Sequence, residues 1–114
     1  MKISARQVEG AVILDVSGNI DMSNSPEVRK ALLSQVRQQG AKVALNLTGV
    51  NYIDSSGVAS LVEGLKASRD SKSRFILFGL NDSAREVLKI SRLLKLFEVY
   101  DNETQAIGSE TPSA

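Results

Sequence analysis

The chain contains no cysteine, no histidine and no tryptophan among its 114 residues, and only two prolines. Without cysteine there is no disulfide, no thiolate nucleophile and no Cys-ligated metal. Without histidine the usual general base at neutral pH is missing as well. Aromatic residues make up 4%, too few for the stacking platforms that hold single-stranded nucleic acid. Neither sign of charge dominates: 14 Lys and Arg face 13 Asp and Glu, for a net charge of +1. A general nucleic-acid or membrane-surface binder would need a basic excess. No segment approaches the roughly 20 apolar residues that span a bilayer, so no membrane insertion is expected. The start, Met1-Lys2-Ile3-Ser4-Ala5-Arg6, has no apolar stretch of signal-peptide length. There is no Gly-rich phosphate loop of the Walker or dinucleotide type. These absences point to a soluble cytoplasmic protein with no cofactor, no metal and no direct contact with nucleic acid.

What is present is a Val-, Leu-, Ile- and Ala-rich chain, 42% hydrophobic, of a length that suits one domain. Ile3–Val8 and Ala11–Val16 read as two strands joined by a tight turn at Glu9-Gly10, an antiparallel hairpin that Ser17-Gly18-Asn19 ends. A helix follows, with Ser25 as its cap, Pro26 at its first position and Val28, Ala31, Leu32, Leu33 and Val36 at helical spacing; it should stop near Gly40. Lys42–Leu47 reads as a central strand buried on both faces, and Thr48–Ile53 as a loop. Val58, Leu61, Val62 and Leu65 form one face of a second helix, followed by a polar connector, Ala67–Ser73. Phe75–Phe78 is a further strand. Ser83 and Glu86 form a capping box for a short helix with Val87, Leu88 and Ile90. Leu96–Val99 is expected as the last strand, Asp101-Asn102-Glu103 as the start of a final helical turn or two, and residues 108–114 as a flexible tail. The alternation implies a single α/β domain over residues 1–107. Its sheet should be mixed but mostly parallel, with an N-terminal hairpin and about four helices packed on it.

Chemistry concentrates at Asp54-Ser55-Ser56-Gly57, between the central strand and the second helix. Free backbone N–H groups and the positive end of the helix dipole converge at such a position. One reading is a helix cap, in which Asp54 or a serine accepts from the first N–H groups and Gly57 permits close approach. The other starts from the doubled serine: a cap needs one side chain, so a second hydroxyl is free to carry a phosphate, whose charge the dipole partly offsets.

Asp21 reads either as a loop acid held by local N–H groups or as a second member of this site. If the second strand ends beside the central one, Asp21 and Asp54 share a sheet edge with Ser56. They could then orient the hydroxyl or hold Mg²⁺ brought by a kinase's nucleotide. Arg85, Lys89, Arg92 and Lys95 form a basic cluster that is either a solvated helix face or a surface for an acidic partner. A second basic run, Lys66, Arg69, Lys72 and Arg74, flanks the polar connector.

The segment Asn46-Leu47 through Tyr52-Ile53-Asp54-Ser55-Ser56-Gly57-Val58 resembles the signature of STAS domains, named for sulfate transporters and anti-sigma factor antagonists. Gly18-Asn19-Ile20-Asp21 resembles the family's Gly-x-hydrophobic-Asp before its first helix, and the element order matches over nearly the whole chain. The stand-alone form is most similar to the anti-sigma factor antagonists. That resemblance implies a regulatory switch, itself no enzyme, which binds an anti-sigma factor with serine kinase activity and so frees a sigma factor. Phosphorylation at the second serine, Ser56, would break the complex, and a PP2C-type phosphatase would restore it. Asp21, Asp54, Ser55, Ser56 and Gly57 would form the partner-facing surface, with Ser55 supporting the turn. The alternative within the family is an accessory subunit of an ABC transporter of the phospholipid-trafficking type, docked on its ATPase.

Overall fold

The structure, a computed structural model, describes residues 1–109. One sheet has five strands in the order in which they occur along the chain. β1 (Lys2–Val8) pairs antiparallel with β2 (Ala11–Ile20), and β3 (Lys42–Ile53), β4 (Arg74–Phe78) and β5 (Glu98–Tyr100) follow in parallel. The hairpin turn places Glu9 at φ 47 and Gly10 at φ 83. Two successive left-handed residues match the twist of the flanking strands, and glycine at the second makes that conformation accessible. Among the described residues the α-helices are α1 (Ser25–Val36), α2 (Ser55–Asp70), α3 (Asp82–Ile90) and α4 (Glu103–Gly108).

Each parallel step crosses over through a helix, and α1, α2 and α3 all cover one face of the sheet. There Val16, Leu45, Leu47 and Leu77 pack against Val28, Leu32, Leu61 and Leu88. Their alternating neighbours Ile13, Ala44, Ile76 and Phe78 turn to the other face, where Ala106 of α4 covers them. Burial on both faces is why these strands read as unbroken apolar runs. Phe75 and Phe97 meet edge to face, with centroids 6.2 Å apart, and join the sheet to the segment after α3.

Several boundaries differ from the sequence expectation. The expected Thr48–Ile53 loop is strand: β2 and β3 stay paired through Ser17↔Gly49, Gly18↔Val50 and Ile20↔Ile53, with register shifts between Asp15 and Ser17 and between Gly18 and Ile20. The shifts bury Leu47, Val50 and Ile53 at a spacing of three, which hides the strand's ordinary period of two. The connector Ala67–Ser73 is in part the last turn of α2, where the buried Ser68 hydroxyl donates to the Leu65 carbonyl at 2.7 Å.

Ser25 does not cap α1; it is the first helical residue and is buried, and Asn24 stands at the boundary. The cap of α3 is Asn81, not the Ser83–Glu86 box. Its side-chain oxygen accepts from Ala84 N–H at 2.8 Å, and its amide donates to the Val50 and Asn51 carbonyls, both at 3.1 Å. An amide can close the helix and the end of β3 together, which one serine hydroxyl cannot. The last strand is displaced to Glu98–Tyr100 because Leu94–Leu96 forms a 3₁₀ turn.

Two residues of the segment expected as a tail, Gly108 and Ser109, are described. Gly108 closes α4, and Ser109 is held by Arg74 and by Lys42, whose Nζ reaches the Ser109 carbonyl at 2.9 Å and the Ile107 carbonyl at 2.8 Å. The rest of that segment, 110–114, lies outside the described residues.

Candidate functional site

The site is the turn between β3 and α2. Because β2 and β3 are parallel and end together at Ile20↔Ile53, the residues that follow, Asp21 and Asp54, leave the same sheet edge side by side. The Asp54 N–H donates to the Ile20 carbonyl at 3.0 Å, which ties the two strand ends together.

Asp54 is the N-cap of α2. Its Oδ1 accepts from Gly57 N–H at 3.0 Å and from the Ser56 hydroxyl at 2.6 Å. The Ser56 hydroxyl, then the Gly57 N–H, and to a smaller extent the Ser56 and Met22 N–H groups, hold the Asp54 carboxyl below the ordinary aspartate range. Asp54 is therefore ionised at neutral pH, and the Ser56 proton is directed at it, leaving the oxygen's lone pairs free. Ser56 is half-buried and Ser55 is exposed. The turn is thus closed by a carboxylate; the supporting role expected of Ser55 falls to Asp54, because a side chain at the first helical position points away from the N–H groups that need an acceptor.

Gly57 is buried. A Cβ there would stand 2.7 Å from Ile53 Cγ2 and 2.8 Å from Ile20 Cγ2. Its small size lets α2 seat on the paired strand ends, and it shapes the turn without presenting surface. Behind the turn the buried Ser60 hydroxyl lies within donating distance of two carbonyls, Ser25 at 3.1 Å and Ser56 at 3.2 Å, which places it between α1 and the first turn of α2.

Asp21 sits in its own tight loop. Its carboxylate accepts from Ser23 N–H at 2.9 Å and from the Ser23 hydroxyl at 2.5 Å. Asn24 accepts from the Asp21 N–H at 2.9 Å and donates to the Asn19 carbonyl at 2.8 Å. The fold places Asp21 and Asp54 on one edge, with the Asp21 carboxylate engaged by Ser23 and the Asp54 carboxylate by Ser56 and Gly57. Among the described residues no three His, Cys, Asp or Glu side chains form a metal-holding group. The Ser56 hydroxyl is oriented by Asp54, while the Asp21 carboxylate is turned to Ser23.

Two neighbours were missed from the sequence. Met22, which follows Asp21, is 79% exposed, and Tyr52, just before the turn on β3, is 46% exposed. An apolar residue inside the polar run Asp21-Met22-Ser23-Asn24-Ser25 was the available signal. Of the basic cluster, Arg85 reaches Asp101 at 3.8 Å, and Arg92 lies beyond the end of α3, so the expected single helical face is not formed. Arg74 is also removed from its run: it makes a two-pronged pair with Glu98, at 2.8 and 2.6 Å.

A phosphate on Ser56 would abolish the hydroxyl's donated bond and add about −1.5 to −2 charge next to ionised Asp54. The start of α2 offsets part of this repulsion.

Fold and site together define a small α/β domain that presents a hydroxyl-bearing helix start at one sheet edge. The chain belongs to the STAS domain family, whose profile matches residues 2–106. It is 32% identical over 94 residues to the anti-sigma-B factor antagonist of Listeria monocytogenes, covering 82% of each chain. Among solved structures, the anti-sigma factor antagonist SpoIIAA in its unphosphorylated form aligns with a TM-score of 0.76 at 20% identity, over 93% of both chains. The Bacillus cell fate determinant SpoIIAA in its phosphorylated form aligns with a TM-score of 0.70 at 19% identity, over 93% of this chain and 96% of that one. The relatives named as antagonists favour that branch of the family over the transporter subunit.

Proposed function

We propose that this protein is an anti-sigma factor antagonist, a protein-binding switch set by the phosphorylation state of Ser56. The observation that carries the reading is the Ser56 hydroxyl held at 2.6 Å by Asp54 on an accessible helix start, in a STAS chain that is 32% identical to a named antagonist. With Ser56 unmodified, the turn offers Asp21, Asp54, Ser55 and Ser56 to an anti-sigma factor, with Gly57 setting its shape. The partner is itself a serine kinase: the Ser56 oxygen attacks the γ-phosphorus of its ATP, ADP leaves and the hydroxyl proton is lost. The phosphoserine then faces Asp54 within a packed interface. Desolvating it there costs enough to release the partner. A PP2C-type phosphatase resets the switch. In this scheme the protein is a kinase substrate and no enzyme, works without a cofactor, and acts in the cytoplasm. The STAS domain is residues 1–107. Among the described residues no helix is long and apolar enough to cross a membrane.

The test is binding of Ser56 variants to an anti-sigma factor with serine kinase activity from the same cells. Ser56→Ala should bind like the wild type and resist phosphorylation. Ser56→Glu should lose the partner while keeping its thermal midpoint. Tight binding by Ser56→Glu would refute the switch. Phosphate found on Ser56 by mass spectrometry of protein from its native cells would support it.

A further inference from the structure

The basic segments that flank α2 and α3 meet at the end of the sheet opposite Ser56. β3, β4 and β5 run parallel, so α2 and α3 both start beside the C-terminal strand ends and both finish beside the N-terminal ones. Arg69, in the last turn of α2, and Lys72 line a recess of about 410 Å³ with Leu65, Phe75 and Leu96. Lys89, in the last turn of α3, lines a second recess of about 490 Å³ with Arg92, Leu94 and Lys95. The 3₁₀ turn Leu94–Leu96 is common to both, contributing Leu94 to one wall and Leu96 to the other. Arg69, Lys72, Lys89, Arg92 and Lys95 are all exposed, and among the described residues none of them makes a salt bridge. Ile90 is 72% and Leu96 50% exposed.

A cation in the last turn of a helix complements the dipole, and that alone accounts for Arg69 and Lys89. It does not account for Arg92. Arg92 sits past the end of α3 at φ 60, a conformation that favours glycine. Nor does it explain exposed aliphatic side chains beside cation-lined recesses.

We propose that the Leu94–Leu96 turn and the recesses on either side of it form a second docking surface, for an acidic helical segment of a partner protein that carries aliphatic anchors. The cations select carboxylates, and Leu94 and Leu96 select aliphatic side chains. Concavity selects a protein segment over a lipid surface: a side chain enters a recess, whereas a plane of headgroups leaves it unfilled. The surface is independent of the Ser56 switch.

The experiment titrates the isotope-labelled full chain with a synthetic amphipathic peptide of Glu and Leu. A control peptide keeps the Leu pattern and carries Lys in place of Glu. The acidic peptide should shift the backbone amides of residues 69–72 and 89–96 and leave 54–57 unmoved, and added salt should weaken it. The double variant Lys89→Glu/Lys95→Glu should bind about tenfold more weakly. Arg92→Gly should also weaken binding while its thermal midpoint holds or rises, which separates lost recognition from lost folding. Equal binding of both peptides, shifts confined to 54–57, no shift at millimolar peptide, or unchanged affinity in these variants would each overturn the proposal. So would binding to phosphatidylcholine–phosphatidylserine vesicles without binding to the peptide, which would make the patch a lipid surface.

Discussion

The two ends of the parallel sheet differ in how they treat charge. At the C-terminal strand ends, Asp54 and Asp21 are each bound into a turn by hydroxyls and N–H groups, and Asp82 stands in the first turn of α3. At the N-terminal strand ends stand Arg69, Lys72, Lys89, Arg92 and Lys95, exposed around two recesses. Parallel topology sorts them. Every crossover helix begins at one end and finishes at the other, so acids that suit helix starts and bases that suit helix ends collect on opposite sides. A chain with a net charge of only +1 can therefore carry an acidic turn and a basic patch. Overall charge, which argued against a general nucleic-acid or membrane-surface binder, says nothing about such a separation.

The contrast can be broken at several points. The largest effect is expected at Ser56: Ser56→Glu should weaken the anti-sigma partner about 100-fold, or roughly 2.7 kcal/mol, and leave the acidic peptide's affinity at the far end unchanged. Titration of both ligands against the one variant checks this, and a loss at both ends would mean that the ends are coupled. Next is Gly57→Ala, which forces a methyl against Ile20 and Ile53 and should cost about 1–3 kcal/mol in denaturant unfolding. An unchanged midpoint would show that the paired strand ends can yield. At the other end, Arg74→Ala removes the two-pronged pair to Glu98 and the bonds to Ser109. It should cost about 1–2 kcal/mol, with faster amide exchange in β5 and α4.

The smallest effect is in acid. Asp54 has its pKa lowered in the folded state, first by the Ser56 hydroxyl and then by the Gly57 N–H. Its contribution is complete above the unfolded aspartate value near 3.9 and disappears as pH falls through the lower folded value. Asp54→Asn should therefore be less stable than the wild type at neutral pH, and the gap should close below about pH 4. Thermal midpoints measured between neutral pH and strong acid test this. A gap that stays constant would mean that the cap works without its charge.

Much of the fold was legible because local rules and tertiary structure agree. Glu9-Gly10 can hardly be anything but a tight turn between apolar strands, and Val28, Leu32 and Val36 mark the buried face of α1 in any α/β context. Where they disagree, a distant partner decides. Thr48–Ile53 looks like a loop because its buried residues recur at threes, and only the shifted pairing with β2 makes it strand. Ser83–Glu86 is a sound capping box that goes unused, since Asn81 also serves the carbonyls of Val50 and Asn51. At the site, the residue types and their position at the start of α2 were visible in the sequence. That the carboxylate closes the turn and takes the Ser56 proton was not.

By itself the sequence determined the order of strands and helices, that the central strand is covered on both faces, and that a hydroxyl sits at a helix start after an aspartate. These follow from side-chain periodicity and from backbone groups within a few residues of one another. Only the tertiary structure decided that Asp21 and Asp54 leave one edge together, that Ile20 and Ile53 leave room for no side chain at Gly57, and that Arg69 and Lys89 share an end of the molecule with Leu96. Each of these depends on the pairing of strands far apart in the chain, and strand register is set by the packed core as a whole, not by any local run of residues.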